Sequence, residues 1–290
     1  MPTRSRNLIC KLINMAIQQD SIQLLLLQAL ATYKFLCLSQ IEVLWIRVSK
    51  KTLSNHLNSL KERKLCNNTV YRFSPKVWKK EDVWYLLPKG KEFLVKYALL
   101  NEDEIKTPKW RVVAIEEYKH RKMTVSLHIA FRKTCDVHRW PMMFYSYDFE
   151  RRKDCRSKRY ICATKVRTSK SVLKSDSMFM ININGQANLF CLELHNQYRV
   201  TRIVGQLKPY AYALAEGSWN TQYWFNKSPR ILVVFEKEST LYSALEVLSS
   251  DTFYLFMKDY FLLNTYENAI QHPFDNWLNL NQEKVSLLSN

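Results

Sequence analysis

Glycine is scarce in this chain of 290 residues: there are four, alongside eight prolines. That poverty excludes collagen-like repeats and linker-rich designs. Cysteine is present but unorganised, since Cys10, Cys37, Cys66, Cys135, Cys155, Cys162 and Cys191 are odd in number and form no Cys-x-x-Cys pair. Neither a disulfide framework nor a zinc finger is supported, and a reducing compartment, the cytoplasm, is the expected location. Long apolar runs are missing too. The most hydrophobic stretch, Leu24–Leu38, is broken by Gln28 and Lys34, and it falls short of the roughly 20 residues that a membrane span needs. Residues 1–20 mix Arg4, Arg6 and Lys11 with Asn and Gln and do not read as a signal peptide. No P-loop, no Gly-x-Gly-x-x-Gly and no His-hydrophobic-His motif occurs, which leaves an ATPase, a dinucleotide enzyme and a rolling-circle relaxase of the two-histidine kind unsupported.

Apolar surface and positive charge are what the chain has in quantity. Hydrophobic residues make up 47% and aromatics 13%, enough for a folded core in one or two domains. Lys and Arg number 44 against 26 Asp and Glu, a net charge of +18. Residues 239–290 hold six acids against Lys258 and Lys284, so that segment is at −4 and residues 1–238 carry +22. A polyanion relieves self-repulsion of this kind, and nucleic acid is the expected partner.

The periodicity after residue 20 predicts three short helices: Ile22–Tyr33, Leu38–Trp45 and a third starting at Ser49. Ser49 is a suitable N-cap. Leu53, Leu57 and Leu60 fall on one side of the third helix, which turns Lys50, Lys51, Ser54, Asn55, Asn58 and Lys61 outward. Asn, Ser and Lys side chains hydrogen-bond to base edges when such a helix enters the major groove. Two β-like runs, Thr69–Phe73 and Val83–Leu87, flank Lys76, Lys79 and Lys80 like a hairpin wing, and Pro88-Lys89-Gly90 ends the unit before a short helix. The expected fold of residues 1–100 is a winged helix-turn-helix; a solvated amphipathic helix in any small α-rich domain, or a winged helix used for dimerisation, is the plainer alternative. Residues 101–119, acidic at first and containing Pro108, read as a linker.

From residue 120 to 263 the order of elements is α/β: a helix over Met123–Lys133, a strand over Met142–Tyr147, a charged stretch, two strands, a helix over Thr201–Ala215 and a further strand at Arg230–Phe235. Thr252–Leu263 reads as an apolar helix covering the sheet, and 264–290 as a tail. His120 and His128 share a helix face, where a histidine is usually a satisfied core residue. Between Arg151 and Lys174 stand ten basic residues and one acid, Asp154. A solvated loop is the plain reading; a phosphate-binding arm carried by Arg156, Lys158 and Arg159 is the functional one.

Asn184-Gly185 between two β-rich runs is a strong hairpin signal. With Ile183 paired to Gln186, paired positions sum to 369 and Asp176 falls opposite Glu193. Like charges so placed destabilise a sheet, and a cation such as Mg²⁺ or Mn²⁺ held between them would compensate. His195 projects from the same face as Glu193. The plainer alternative is a frayed hairpin end whose acids point into water.

Asp176 followed by Glu193-Leu194-His195 resembles the paired-acid and lysine arrangement of restriction-endonuclease-like nucleases. The wider order, with Leu87-Pro88-Lys89-Gly90, His120-Arg121, Asp176, Phe190-Cys191-Leu192-Glu193-Leu194 and Lys208-Pro209-Tyr210, resembles the replication-relaxation family, which includes MobC-type plasmid mobilisation relaxases. The resemblance covers roughly residues 20–250. It implies a winged helix followed by a restriction-endonuclease-like mixed-sheet domain, and a metal-dependent DNA nickase acting at a plasmid origin of transfer or replication. Double-stranded DNA is the implied partner, with relaxosome or coupling proteins beside it; a homodimer stays open. Position 195 departs from the pattern, because nucleases of this fold carry lysine there and a neutral imidazole lacks its fixed charge. Lys208 is the candidate replacement, with Asp176, Glu193 and His195 completing the expected catalytic set. Tyr198, Tyr210 and Tyr212 are weaker candidates for a covalent nucleophile. The competing reading is a sequence-specific origin-binding protein or transcription regulator that keeps the fold without the chemistry.

Overall fold

A computed structural model describes residues 21–44, 48–74, 77–98, 101–102, 105, 107, 117–153, 160–196, 198–223 and 227–288. The chain is a mixed α+β protein that divides into two compact units, Met1–Val125 and Ser126–Asn290. Among the described residues no helix is long and apolar enough to cross a membrane. The linker expected over 101–119 falls largely outside the described residues.

The first unit runs α1 (21–33), β1 (Phe35–Cys37), α2 (Leu38–Val43), α3 (Lys50–Glu62), β2 (Cys66–Ser74), β3 (Val77–Leu86) and α4 (Pro88–Ala98). Its three strands form one antiparallel sheet in the order β1-β3-β2. Ser49 caps α3 as its sequence suggests, accepting a hydrogen bond from the Thr52 amide at 3.2 Å. Leu53, Leu57 and Leu60 are fully buried, each contributing roughly 1.5–3 kcal/mol of burial. The short helix expected after Pro88-Lys89-Gly90 is α4, and it begins earlier than expected, with Pro88 at the first helical position where a missing N–H costs nothing. Gly90, in the first turn of α4, lies against the Leu65 carbonyl, which occupies the place a Cβ would need. Glu81 of β3 accepts from the Tyr118 hydroxyl at 2.7 Å and from Lys122 Nζ at 2.7 Å. Burial pushes the Glu81 carboxyl up, but these two donors outweigh it and hold it below the usual range.

α5 (Tyr118–His138) is longer than its apolar core suggests, and the division between the units falls within it. The second unit then builds a seven-stranded sheet, in which β4 (Met142–Tyr147), β9 (Ser177–Ile183), β10 (Gln186–His195) and β11 (Arg230–Phe235) are neighbours. β4, β9 and β10 pair antiparallel, whereas β10 and β11 run parallel, joined through α6 (Val200–Ala215) and α7 (Ser218–Tyr223). The central order is therefore helix, three antiparallel strands, helix, parallel strand. Asn184 and Gly185 have φ of 51° and 85°, the pair of positive values a tight primed turn demands. The register is the one that turn fixes: Gln186 opposite Ile183, continuing to Leu192 opposite Ser177.

The basic stretch after β4 is more ordered than a loop where it is described. β5 (Arg151–Lys153) pairs with β6 (Tyr160–Cys162), and β7 (Lys165–Arg167) with β8 (Val172–Lys174). Val166 and Leu173 belong to the core beneath α6, and at the β7–β8 turn Ser169 bonds Glu216 through its amide at 2.8 Å and through its hydroxyl. α6 continues through Pro209. The apolar helix expected over Thr252–Leu263 is a short α9 (Thr252–Leu255) followed by β12 (Phe261–Thr265), which runs parallel to β11 after α8 (Glu238–Ser250). Phe261, Leu262 and Leu263 are all buried, and a strand covered on both faces carries no alternation to tell it from a helix. Residues 264–290 are likewise no tail: α10 (Tyr266–Gln271), β13 (Trp277–Leu278) and β14 (Lys284–Val285) extend the sheet.

Candidate functional site

Two surfaces gather the residues singled out by the sequence. The first is the outer side of α3, where Lys50, Lys51, Asn55, Asn58 and Lys61 are exposed and Ser54 is half-buried. Lys50 pairs with Glu42 at 3.3 Å. Lys61 donates to Asn68 Oδ1 of β2 at 2.6 Å, and Asn68 donates to Asp82 Oδ1 of β3 at 2.8 Å. The last turn of α3 is thus fastened to the β2–β3 hairpin, while Lys51, Asn55 and Asn58 stand on its open side. Arg156, Lys158 and Arg159 lie outside the described residues.

The second surface is the end of the large sheet where β9 begins and β10 finishes. Alternation along β10 sends Leu189, Cys191, Glu193 and His195 to one face, and Leu189 and Cys191 join the core packed under α6 and α8. Ser177 pairs with Leu192, which brings Asp176 and Glu193 to the next step of the same register. Asp176 Oδ2 accepts the Leu194 amide at 2.7 Å, so its carboxylate bridges back onto β10. β4 adds a third acid that sequence reasoning missed. Tyr147 pairs with Ser177, and the Asp148 amide donates to the Asp176 carbonyl at 2.9 Å. Asp148, Asp176 and Glu193 therefore occupy one end of three adjacent strands.

Burial pushes the Glu193 carboxyl well above the usual carboxylate range, and the charges of Asp176 and Asp148 add to the shift. The Tyr210 hydroxyl donates to Glu193 Oε1. Tyr210 is itself buried, and its own pKa is raised by burial and then by Glu193. A hydroxyl so enclosed serves to hold Glu193 and is not placed to attack a phosphate. Of the other tyrosine candidates, Tyr212 packs on Phe253 with ring centroids 5.3 Å apart, and Tyr198 is exposed.

Lys208 lies on the exposed side of α6. It stands two residues from Tyr210, about 200° around the helix, so with Tyr210 facing Glu193 the lysine faces water. Among the described residues Lys174 stands beside the acids, with Nζ 2.9 Å from Asp148 Oδ2. Burial lowers the Lys174 pKa, but the hydrogen bond and charge of Asp148, with Asp176 further off, raise it overall. His195 is buried beside Phe235. His128 is a core residue, stacked on Tyr145 at 3.7 Å with Nδ1 2.5 Å from the Tyr147 hydroxyl.

Asp148, Asp176 and Glu193 offer carboxylate oxygens at this sheet end, which suit a hard divalent cation. Their mutual repulsion, felt in the raised Glu193, is what such a cation would relieve. Among the described residues no three His, Cys, Asp or Glu side chains form a group that could hold a metal ion; Asp176 and Glu193 are the two that a cation at this sheet end could bridge. No protein-family model, curated protein or solved structure matches the chain.

Proposed function

We propose that the chain is a DNA-binding plasmid mobilisation or replication protein, with a winged helix-turn-helix in its first unit and a restriction-endonuclease-like, metal-dependent nicking domain in its second. The observation that carries this reading is the meeting of Asp176 and Glu193 at adjacent strand ends, within a helix, three antiparallel strands, helix, parallel strand order. The first unit, with α1–α3 ahead of the β2–β3 hairpin and Lys51, Asn55 and Asn58 exposed on a capped third helix, supports duplex binding. Asp176 and Glu193 would hold a divalent cation such as Mg²⁺ or Mn²⁺, which when bound would supply Lewis-acid polarisation of a phosphate and a more acidic water. Tyr210 fixes one oxygen of Glu193, and Lys174, in place of Lys208, brings positive charge toward the acids.

The second reading, an origin-binding protein or regulator without chemistry, is favoured by one feature. Glu193 is already bonded to Tyr210 and disposed to keep its proton. Thermal melting of the full chain with and without Mn²⁺ separates the two. Wild type is expected to gain stability with Mn²⁺, by about 2.7 kcal/mol at a hundredfold excess over Kd. Asp176→Asn should lose that gain while keeping an oxygen for the Leu194 amide. An equal gain in Asp176→Asn would remove the pair as a metal site.

A further inference from the structure

The exits of the parallel strands β10 and β11 lie side by side, tied by the Glu236 amide donating to the His195 carbonyl at 2.9 Å. Just beyond β10 stands Tyr198, which is 63% exposed. Just beyond β11 stands Lys237, whose Nζ sits 4.3 Å from the centroid of the Tyr198 ring. Arg199 and Arg202, at the start of α6, are exposed as well. A tyrosine left this open in water gains nothing from burial, and a cation over one side leaves most of the ring available. We propose that Tyr198 is a stacking platform for an unpaired nucleotide, with Lys237, Arg199 and Arg202 contacting the phosphates beside it.

The chemistry selects the ligand. In a duplex the base faces are closed by their neighbours, so an exposed aromatic ring framed by cations fits a single-stranded or extruded base. Glu236 and Glu238 flank Lys237 and weaken its pull on phosphate, so stacking must provide much of the affinity here. The position is apt, because Tyr198 follows Glu193 by five residues at the end of β10 that carries the acids. The inference rests on the proposed action on DNA, but not on cleavage.

The test uses the full chain in EDTA with a fluorescein-labelled oligo-dT strand of about 20 nucleotides, longer than one site, and a labelled duplex, both read by fluorescence anisotropy. Tyr198→Ala is expected to weaken oligo-dT binding by about 5- to 100-fold, with Tyr198→Phe restoring it and duplex affinity unchanged. Unaltered oligo-dT binding by Tyr198→Ala, or an equal loss on the duplex, overturns the platform. Wild type that binds the duplex but not oligo-dT overturns it while leaving the DNA-binding reading intact. Binding to neither defeats both.

Discussion

Glu193 carries the tension of the second unit in one side chain. Desolvation, Asp176 and Asp148 all disfavour its ionised form, and the Tyr210 hydroxyl only partly offsets them. Its folded pKa is therefore raised above the ordinary 4.5. The folded state holds this proton more tightly than the unfolded chain does, so the associated stability is complete below 4.5 and is lost as pH rises through the raised value. Glu193→Gln keeps an oxygen for Tyr210 and cannot ionise. Without divalent metal, the stability of wild type relative to Glu193→Gln should fall as pH is raised above about 4.5, as measured by thermal melts. Parallel profiles for the two proteins would mean that Glu193 is ionised in the fold, and the crowding of acids around it would be misjudged.

Single elements decide how a residue's chemistry is presented. α3 offers Asn55 and Lys51 from a helix whose other side is locked by Leu53, Leu57 and Leu60. Asn55→Ala or Lys51→Ala should weaken binding to the cognate duplex by roughly 1–3 kcal/mol, the asparagine change also relaxing sequence preference. Gel shifts against cognate and random duplexes check this, and an equal loss on both would reduce these side chains to phosphate contacts. Gly90 acts as a spacer in α4: with the Leu65 carbonyl where a Cβ would go, Gly90→Ala should cost about 1–3 kcal/mol in urea unfolding. A neutral result would show that α4 can shift away from Leu65. These elements also show what a sequence can reveal. The β9–β10 register was legible because Asn184-Gly185 is a two-residue turn, and a turn that short leaves one pairing. α3 was legible from its cap and its leucines. Asp148 was not, since β4 reaches β9 only after the excursion through β5 to β8, and nothing local sets that register. The same excursion hid Lys174, whose neighbours Val166 and Leu173 anchor the β7–β8 hairpin from within a run of lysines and arginines. For Lys208 the choice failed on helix geometry, because a helix that aims Tyr210 at the acids turns the residue two places earlier away.

Across the whole molecule, charge favours the polyanionic partner proposed above. Residues 1–238 carry +22, and both the α3 surface and the exits of β10 and β11 combine cations with groups that can address a base. Charge alone attracts any polyanion; the pairing of Asp176 with Glu193 is what turns binding into proposed chemistry. The most direct measurement is the conversion of a supercoiled plasmid carrying the protein's own origin to open circles, by wild type, Asp176→Asn and Glu193→Gln, each in Mn²⁺ and in EDTA. Open circles are expected from wild type in Mn²⁺ and from no other combination. A plasmid left supercoiled by wild type in Mn²⁺, or nicked equally by Asp176→Asn, would contradict a cleavage site at these carboxylates.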